Sequence, residues 1–291
     1  MDARALVMGF AFAVMWSSAF TSARIIVAAA PPLSALALRF ALSGLLAVLI
    51  ARALGQSWRL TGAQWRAVVI FGVCQNALYL GLNFVAMQTV EASLAAIIAS
   101  TMPLLVAIAG WVLFQERVAP LAVAGLIAGV LGVGMIMGAR LEAGGDLFGI
   151  LLCVIGVLAL TVATLALRGA TSGGDFLMIV GLQMLVGSLA LVPPAALLET
   201  IQIDWSVALV AAFVYTTLVP GLAATLVWFY LVNRTGAVRA STFHFLNPFL
   251  GVAIAAIILG ETLGPLDILG VLVISAGILA VQMAKVRGQG R

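Results

Sequence analysis

The sequence predicts an all-α integral membrane protein of ten transmembrane helices, built as two five-helix inverted repeats. Three observations predict it. The 291-residue chain is 64% hydrophobic and only 8% charged, with a mean hydropathy of +1.25. A soluble domain carries about a quarter charged residues and could not cover its surface with so few. The apolar residues fall into ten runs, each long enough to cross a hydrocarbon core of roughly 30 Å. Finally, Pro103, Glu116, Pro120, Gly125 and Gly132 recur as Pro248, Glu261, Pro265, Gly270 and Gly277, each 145 residues later.

The predicted spans follow from their breaks. Pro31-Pro32 separates 5–29 from 33–51. The charged stretch from Arg52 to Arg66 precedes 67–88, and Glu91 marks the start of 92–114. Glu116-Arg117 divides that run from 119–138. Arg140 to Asp146 leads into 147–167, and Gly169 to Gly174 into 175–198. Glu199 to Asp204 opens 205–232, Asn233-Arg234 opens 236–259, and Gly260-Glu261 opens 264–284. The connections are too short for a soluble domain. Residues 1–138 form the N-terminal repeat, 147–284 the C-terminal repeat and 285–291 a tail. Five spans per half is an odd number, so the second half enters the membrane in the opposite orientation, a construction known in transporters. The Met1–Arg4 head runs straight into an apolar segment and reads as the start of a first span, with no cleavable leader.

Charge placement supports the count. With the N-terminus in the cytoplasm, 11 of the 14 basic residues fall on that side: Arg4, Arg52, Arg59, Arg66, Arg117, Arg168, Arg234, Arg239, Lys285, Arg287 and Arg291. Arg140 falls on the other side, with Arg24 near the end of span 1. Glu91, Glu142, Asp146, Glu199, Asp204 and Glu261 join them. This is the positive-inside asymmetry. It places both termini and the 285–291 tail in the cytoplasm. The pI near 9.7 is therefore read as topological signalling and not as nucleic-acid binding. Cys74 and Cys153 lie in apolar runs and point to neither a disulfide framework nor a metal site.

The missing motifs narrow the chemistry. All ten acids lie at or near helix ends, so no mid-span carboxylate offers a proton relay. There is no nucleotide-binding P-loop and no metal-protease motif. No serine has a plausible nearby base. The sequence points to a carrier and not an enzyme, without a cofactor.

The ordered motifs resemble the drug/metabolite transporter superfamily, EamA type, in its ten-span form. They are Arg39-Phe40 early in span 2, the small residues from Ala95 to Pro103, Glu116, and the glycines 125, 129, 132 and 134 of span 5. The last three elements return around Pro248, Glu261 and Gly270. The likeness extends over essentially the whole chain and is nearest to bacterial exporters of aromatic and other amino acids. It implies that spans 1, 3, 4, 6, 8 and 9 surround a central cavity, with spans 5 and 10 at the periphery.

Few polar residues lie within the spans, and such residues face the protein interior or water. Gln75, Tyr79 and Asn83 of span 3 are spaced i, i+4, i+8 and form one polar-aromatic stripe, the strongest site signal. In span 1, Ser18 and Ser22 share a face, and Trp16 lies too deep for an interfacial belt. Arg39 sits roughly 10 Å along span 2. It reads as a partner for a substrate carboxylate, a latch near the outer mouth, a snorkelling arginine, or a tie to Glu91 or Glu199. Thr164 in span 6 and His244 and Asn247 in span 9 complete the substrate-binding candidates. Of Trp228 and Tyr230, at most one faces inward. Pro103 and Pro248 read as symmetric hinge or gating positions. Pro220, beside Gly221, is a further break with no repeat partner visible in span 3. In the second half Ala224 and Trp228 stand where Tyr79 and Asn83 stand in the first.

The resulting expectation is an exporter of small metabolites, amino acids foremost, working by alternating access down a gradient. The chain would be a monomer or weak homodimer among membrane lipid. A drug or nucleotide-sugar carrier on the same fold, and a channel, are the alternatives.

Overall fold

The structure, a computed structural model, describes residues 2–115, 119–142, 144–166, 175–236 and 240–288. Glu116, Arg117, Arg168, Gly169 to Gly174, Arg239 and Arg291 lie outside the described residues. Every described element is helical, and ten helices are long and apolar enough to cross a membrane. Spans 1 to 5 are Ala3–Val27, Pro32–Ala53, Gly62–Ala86, Ala92–Leu113 and Pro120–Arg140. Spans 6 to 10 are Leu147–Ala166, Phe176–Leu198, Val207–Thr235, Thr242–Leu259 and Pro265–Ala284.

These spans agree with the predicted ones to within a few residues, except that span 9 starts later, at Thr242, and span 3 earlier, at Gly62. The cause in span 3 is a capping box. Thr61 Oγ1 accepts the Gln64 backbone N–H at 3.3 Å, and Gln64 Oε1 accepts the Thr61 N–H at 2.8 Å. Two orphan amides are satisfied, so the helix adds a polar first turn before its apolar run begins.

The chain divides into two compact units, and each draws on both halves of the sequence. Unit 1 comprises Met1–Thr21, Thr89–Ile150 and Ala223–Arg291, and unit 2 comprises Ser22–Gln88 and Leu151–Leu222. The boundaries cut through spans 1, 6 and 8, so the units are not the repeats.

In unit 1, repeat-related spans pack on each other: span 5 on span 10, and span 4 on span 9. The first pair crosses at glycines. A Cβ on Gly125 would lie 2.6 Å from the Gly277 carbonyl oxygen, and one on Gly277 would lie 2.6 Å from that of Gly125. Gly132 and Gly270 meet in the same way, at 2.9 and 3.0 Å. Seven residues forward on one helix pair with seven back on the other, so the helices are antiparallel. Gly125 corresponds to Gly270 and Gly132 to Gly277 across the 145-residue offset. Exchanging the two repeats therefore maps this contact set onto itself, as an inverted pair requires.

Pro103 and Pro248 each stand in the first turn of a helical segment inside their span. Pro103 is the second residue of Met102–Phe114, and Pro248 is the second residue of Asn247–Leu259. A missing N–H costs nothing in a first helical turn. Two hydroxyls bond back to the helix just upstream of Pro103. Ser100 Oγ donates to the Ala96 carbonyl and Thr101 Oγ1 to that of Ile98, both at 2.6 Å. Upstream of Pro248 the chain tightens into a 3₁₀ turn over Thr242–Leu246.

Acids satisfy orphan amides at helix starts in both units. In unit 1, the Glu261 carboxylate accepts the N–H groups of Ala92 and Ser93 at 2.8 and 2.9 Å. Beside it, Arg140 pairs with Glu91 at 2.7 Å and with Asp267 at 3.0 Å. In unit 2, Glu199 accepts the N–H groups of Leu33 and Ser34 at 2.7 and 2.8 Å. Met178, which stands 145 residues after Leu33, has its N–H accepted by Gln56 Oε1. The repeat keeps the cap and exchanges the acid for an amide.

Unit 2 is organised by span 7, which packs on spans 2 and 3. Gly44 and Gly181 meet with a Cβ on either falling 2.9–3.0 Å from the other's carbonyl oxygen. Ser188 Oγ donates to the Ala37 carbonyl at 2.8 Å. Span 3 leans on span 7 through Gly72 and Asn76, and Asn76 Nδ2 donates to the Gln183 carbonyl at 3.0 Å.

Spans 3 and 8 each contain a π-helical stretch, at Gly72–Tyr79 and Val219–Ala223. In span 8 the cause is Pro220, which cannot donate to the carbonyl one turn back, so the ladder widens. The span 3 stretch corresponds to residues 217–224 across the offset, which contain the one in span 8. The sequence expectation that the Pro220 break has no counterpart in span 3 is thereby corrected. The counterpart is a backbone geometry, held in span 3 by close packing on span 7 and not by a proline.

Candidate functional site

The expected site residues divide between the two units. One group in unit 2 centres on Arg39. Its side chain is 5% exposed, and its Nε has no hydrogen-bond partner. The guanidinium carbon lies 5.1 Å from the centre of the Phe40 ring. A Cβ on Gly221 would lie 3.5 Å from both Arg39 Nη2 and Ser43 Oγ. The π turn of span 8 thus presents its one side-chain-free residue to the arginine. Neither structural tie expected for Arg39 is made. Glu199 is taken up by the start of span 2, and Glu91 pairs with Arg140.

Tyr79 and Asn83 are brought together, but against span 6. Both are buried, and Asn83 Nδ2 donates to the Tyr79 carbonyl at 2.8 Å. A Cβ on Gly156 would lie 2.8 Å from Asn83 Nδ2 and 3.2 Å from the Tyr79 carbonyl oxygen. Gln75 is half-buried. The expected straight stripe is distorted, because residues 72–79 are π-helical and i, i+4 positions there no longer stack. Asn83 Oδ1 has no partner. Thr164, in the same unit, donates to the Leu160 carbonyl at 2.8 Å. Ser22 is buried.

The cluster of unit 1 is aromatic. The His244 ring lies 5.5 Å from Phe12 in an edge-on contact, 5.2 Å from Trp228 and 6.5 Å from Trp16. Phe12 lies 4.7 Å from Trp228 and 5.7 Å from Trp16. Asn247 Nδ2 lies 2.9 Å from His244 Nδ1. With the amide donating, Nδ1 accepts and the imidazole proton sits on Nε2. Asn247 is buried, and its Oδ1 has no partner. Ser17 Oγ donates to the Asn247 carbonyl at 3.4 Å, and Ser18 Oγ to that of Met15 at 2.8 Å. Trp228 joins the cluster, while Tyr230 is 62% exposed.

Sequence reasoning missed Phe12 and Ser43 as neighbours of these groups. A signal existed for both. Phe12 precedes Trp16 by four residues and Ser43 follows Arg39 by four, so each pair shares a helix face. No group of His, Cys, Asp and Glu that could hold a metal occurs among the described residues.

Comparison with known proteins adds the family context. Residues 3–138 and 147–283 each match the profile of the EamA-like transporter family. The "Uncharacterized transporter YvbV" of Bacillus subtilis (strain 168) is 25% identical over 95% of this chain and 90% of its own. Protein PecM of Dickeya dadantii (strain 3937) is 21% identical over 92% and 89%. A solved crystal structure 20% identical to this chain matches with a TM-score of 0.68 over 99% of this chain and 100% of the other, which speaks to the fold alone.

Proposed function

The chain belongs to the EamA-like transporter family, and on that premise we propose that it exports small metabolites, amino acids foremost, by alternating access. The observation that carries this reading is the pairing of helix interruptions across the repeat. Pro103 and Pro248 start half-helices in spans 4 and 9, and π turns occupy equivalent stretches of spans 3 and 8. Repeated breaks in inverted halves give one scaffold two exchangeable conformations around a solute. Intramembrane helix irregularities concentrate where backbone lines a path or a site.

The substrate class is supported by the polar inventory: an arginine, amides, hydroxyls, an imidazole and indoles. Such groups suit a small amphipathic solute with a charged head. With no acid in mid-span, transport is facilitative and not tightly coupled to an ion. The arginine distribution supports insertion in a bacterial inner membrane with both termini cytoplasmic.

Counterflow in proteoliposomes tests the proposal. Vesicles loaded with unlabelled L-phenylalanine or a mixed amino-acid pool should accumulate the labelled amino acid transiently, with saturation. No counterflow for any amino acid sinks the substrate reading. Unsaturable flux with electrical conductance replaces the carrier with a channel.

A further inference from the structure

Unit 2 holds a buried cation with no counter-ion among the described residues. Arg39 is 5% exposed with its Nε unpartnered. The acids of unit 2 are Asp175, Glu199 and Asp204. Asp175 accepts the Ser57 N–H at 2.8 Å. Glu199 is occupied by two backbone amides and the Ser34 hydroxyl. Asp204 is exposed. The ion pairs found among the described residues belong to Arg140 and Arg234. A structural arginine at this depth either snorkels to the interface or pairs within the protein, and Arg39 does neither. The Phe40 ring offers a cation–π contact, which compensates only part of the cost of a buried ion.

The surroundings suit a ligand. Ser43 Oγ reaches the Thr217 carbonyl only at a long 3.4 Å and is a weakly committed donor. A Cβ on Gly221 would lie 3.5 Å from Arg39 Nη2 and Ser43 Oγ and 3.1 Å from the Thr216 carbonyl oxygen, so the glycine keeps span 8 from crowding the two polar groups with a side chain. We propose that Arg39 and Ser43, opposite the π turn of span 8, bind the carboxylate of the transported solute. A guanidinium fork matches a carboxylate in two parallel hydrogen bonds. Arg39 is the one buried cation of unit 2 among the described residues: Arg24 is half-buried and donates to the Met87 carbonyl, and Arg52, Arg59 and Arg66 are exposed. A single cation fits a monoanion and is too little for a doubly charged phosphate. The identity of the carboxylate as cargo rests on the carrier reading above.

The test uses the full chain purified in detergent, with thermal unfolding as the readout. Sodium benzoate should raise Tm by roughly 2–4 °C at saturating concentration. Benzamide, its uncharged isostere, and sodium chloride at equal ionic strength should leave Tm unchanged. R39Q and R39M should abolish the benzoate shift, and R39K should reduce it. R39M without ligand should unfold at the wild-type temperature or above, because it removes an uncompensated buried charge. A benzoate shift that is absent from the wild type, retained in R39M, or matched by chloride overturns the site. So does a lowered Tm in unliganded R39M, which would make the arginine structural. If the site passes and amino-acid counterflow fails, the carboxylate site stands and the amino-acid reading falls. The converse result leaves the transporter reading and removes Arg39 from it.

Discussion

Spans 5 and 10 in unit 1 and spans 2 and 7 in unit 2 are both antiparallel pairs of repeat-related helices, yet they are packed differently. In the first pair glycine meets glycine twice, backbone against backbone, and the repeat relates one contact to the other. In the second a single Gly44–Gly181 contact is flanked by the Leu185 and Val48 side chains and a hydroxyl bond from Ser188 to Ala37. The lesson concerns what a duplication can preserve. Where both copies kept their glycines, the pair is self-complementary and serves as scaffold. Where they diverged, side chains fill the gap, and the same helix is free to carry Arg39 and Ser43 one turn away.

The largest effects should separate these two crossings. Gly277→Ala would place a Cβ 2.6 Å from the Gly125 oxygen and 2.9 Å from the Gly129 nitrogen. Backbone cannot yield as a side chain can, so a loss of about 3 kcal/mol is expected in unfolding measurements. Gly44→Ala meets the Gly181 oxygen at 2.9 Å but otherwise the movable Leu185 side chain, and should cost about 1–2 kcal/mol. Gly134→Ala, with nothing within 4 Å, should be neutral or gain up to about 1 kcal/mol. Equal losses at Gly277 and Gly44 would erase the distinction between the pairs.

Next come the charges of unit 1. Arg140→Gln strands Glu91 and Asp267, and should cost about 2–3 kcal/mol, since Glu91 is partly solvated. An unchanged stability would mean that the network is ornamental. The helix caps sharpen the comparison further. Glu261→Gln and Glu199→Gln should each cost about 1 kcal/mol, in units 1 and 2 respectively. Gln56→Ala, which removes a neutral cap, should cost about half as much. A larger loss at Gln56 than at Glu199 would show that charge adds nothing to the cap.

The smallest effect is a pH dependence at the surface of unit 1. The hydrogen bond from Arg234 holds the exposed Asp2 carboxyl down at about 2, below its ordinary 3.8. A depressed carboxyl stabilises the fold fully above its ordinary value and loses that contribution as pH falls through the lowered one. The Tm difference between wild type and Asp2→Asn should therefore be small, constant from pH 7 to pH 5, and fading only as pH falls from about 4 toward 2. A difference that changes between pH 5 and 7 points to another group.

The candidate site was legible in part. Residue types located Arg39, Asn83, His244 and Asn247, because polar groups in an apolar run are conspicuous. Spacing failed for the stripe of Gln75, Tyr79 and Asn83, because i, i+4 positions stack only on an α-helical ladder and the segment is π-helical. It failed again at Pro220, whose counterpart in span 3 has no proline to betray it. Trp228 and Tyr230 were rightly set on different faces, since two residues along a helix turn about 200°.

The sequence by itself determined the membrane class, the ten spans and the inverted duplication. Each depends on composition and on the length of apolar runs, which act locally and survive any arrangement of helices. It also determined where helices could break, because proline lacks an N–H wherever it stands. Only the tertiary structure decided that the compact units interleave the two halves, that span 3 widens opposite Gln183, and that Arg39 has no counter-ion among the described residues. Those features depend on which surfaces meet, and a helix surface acquires its meaning only from the residue packed against it.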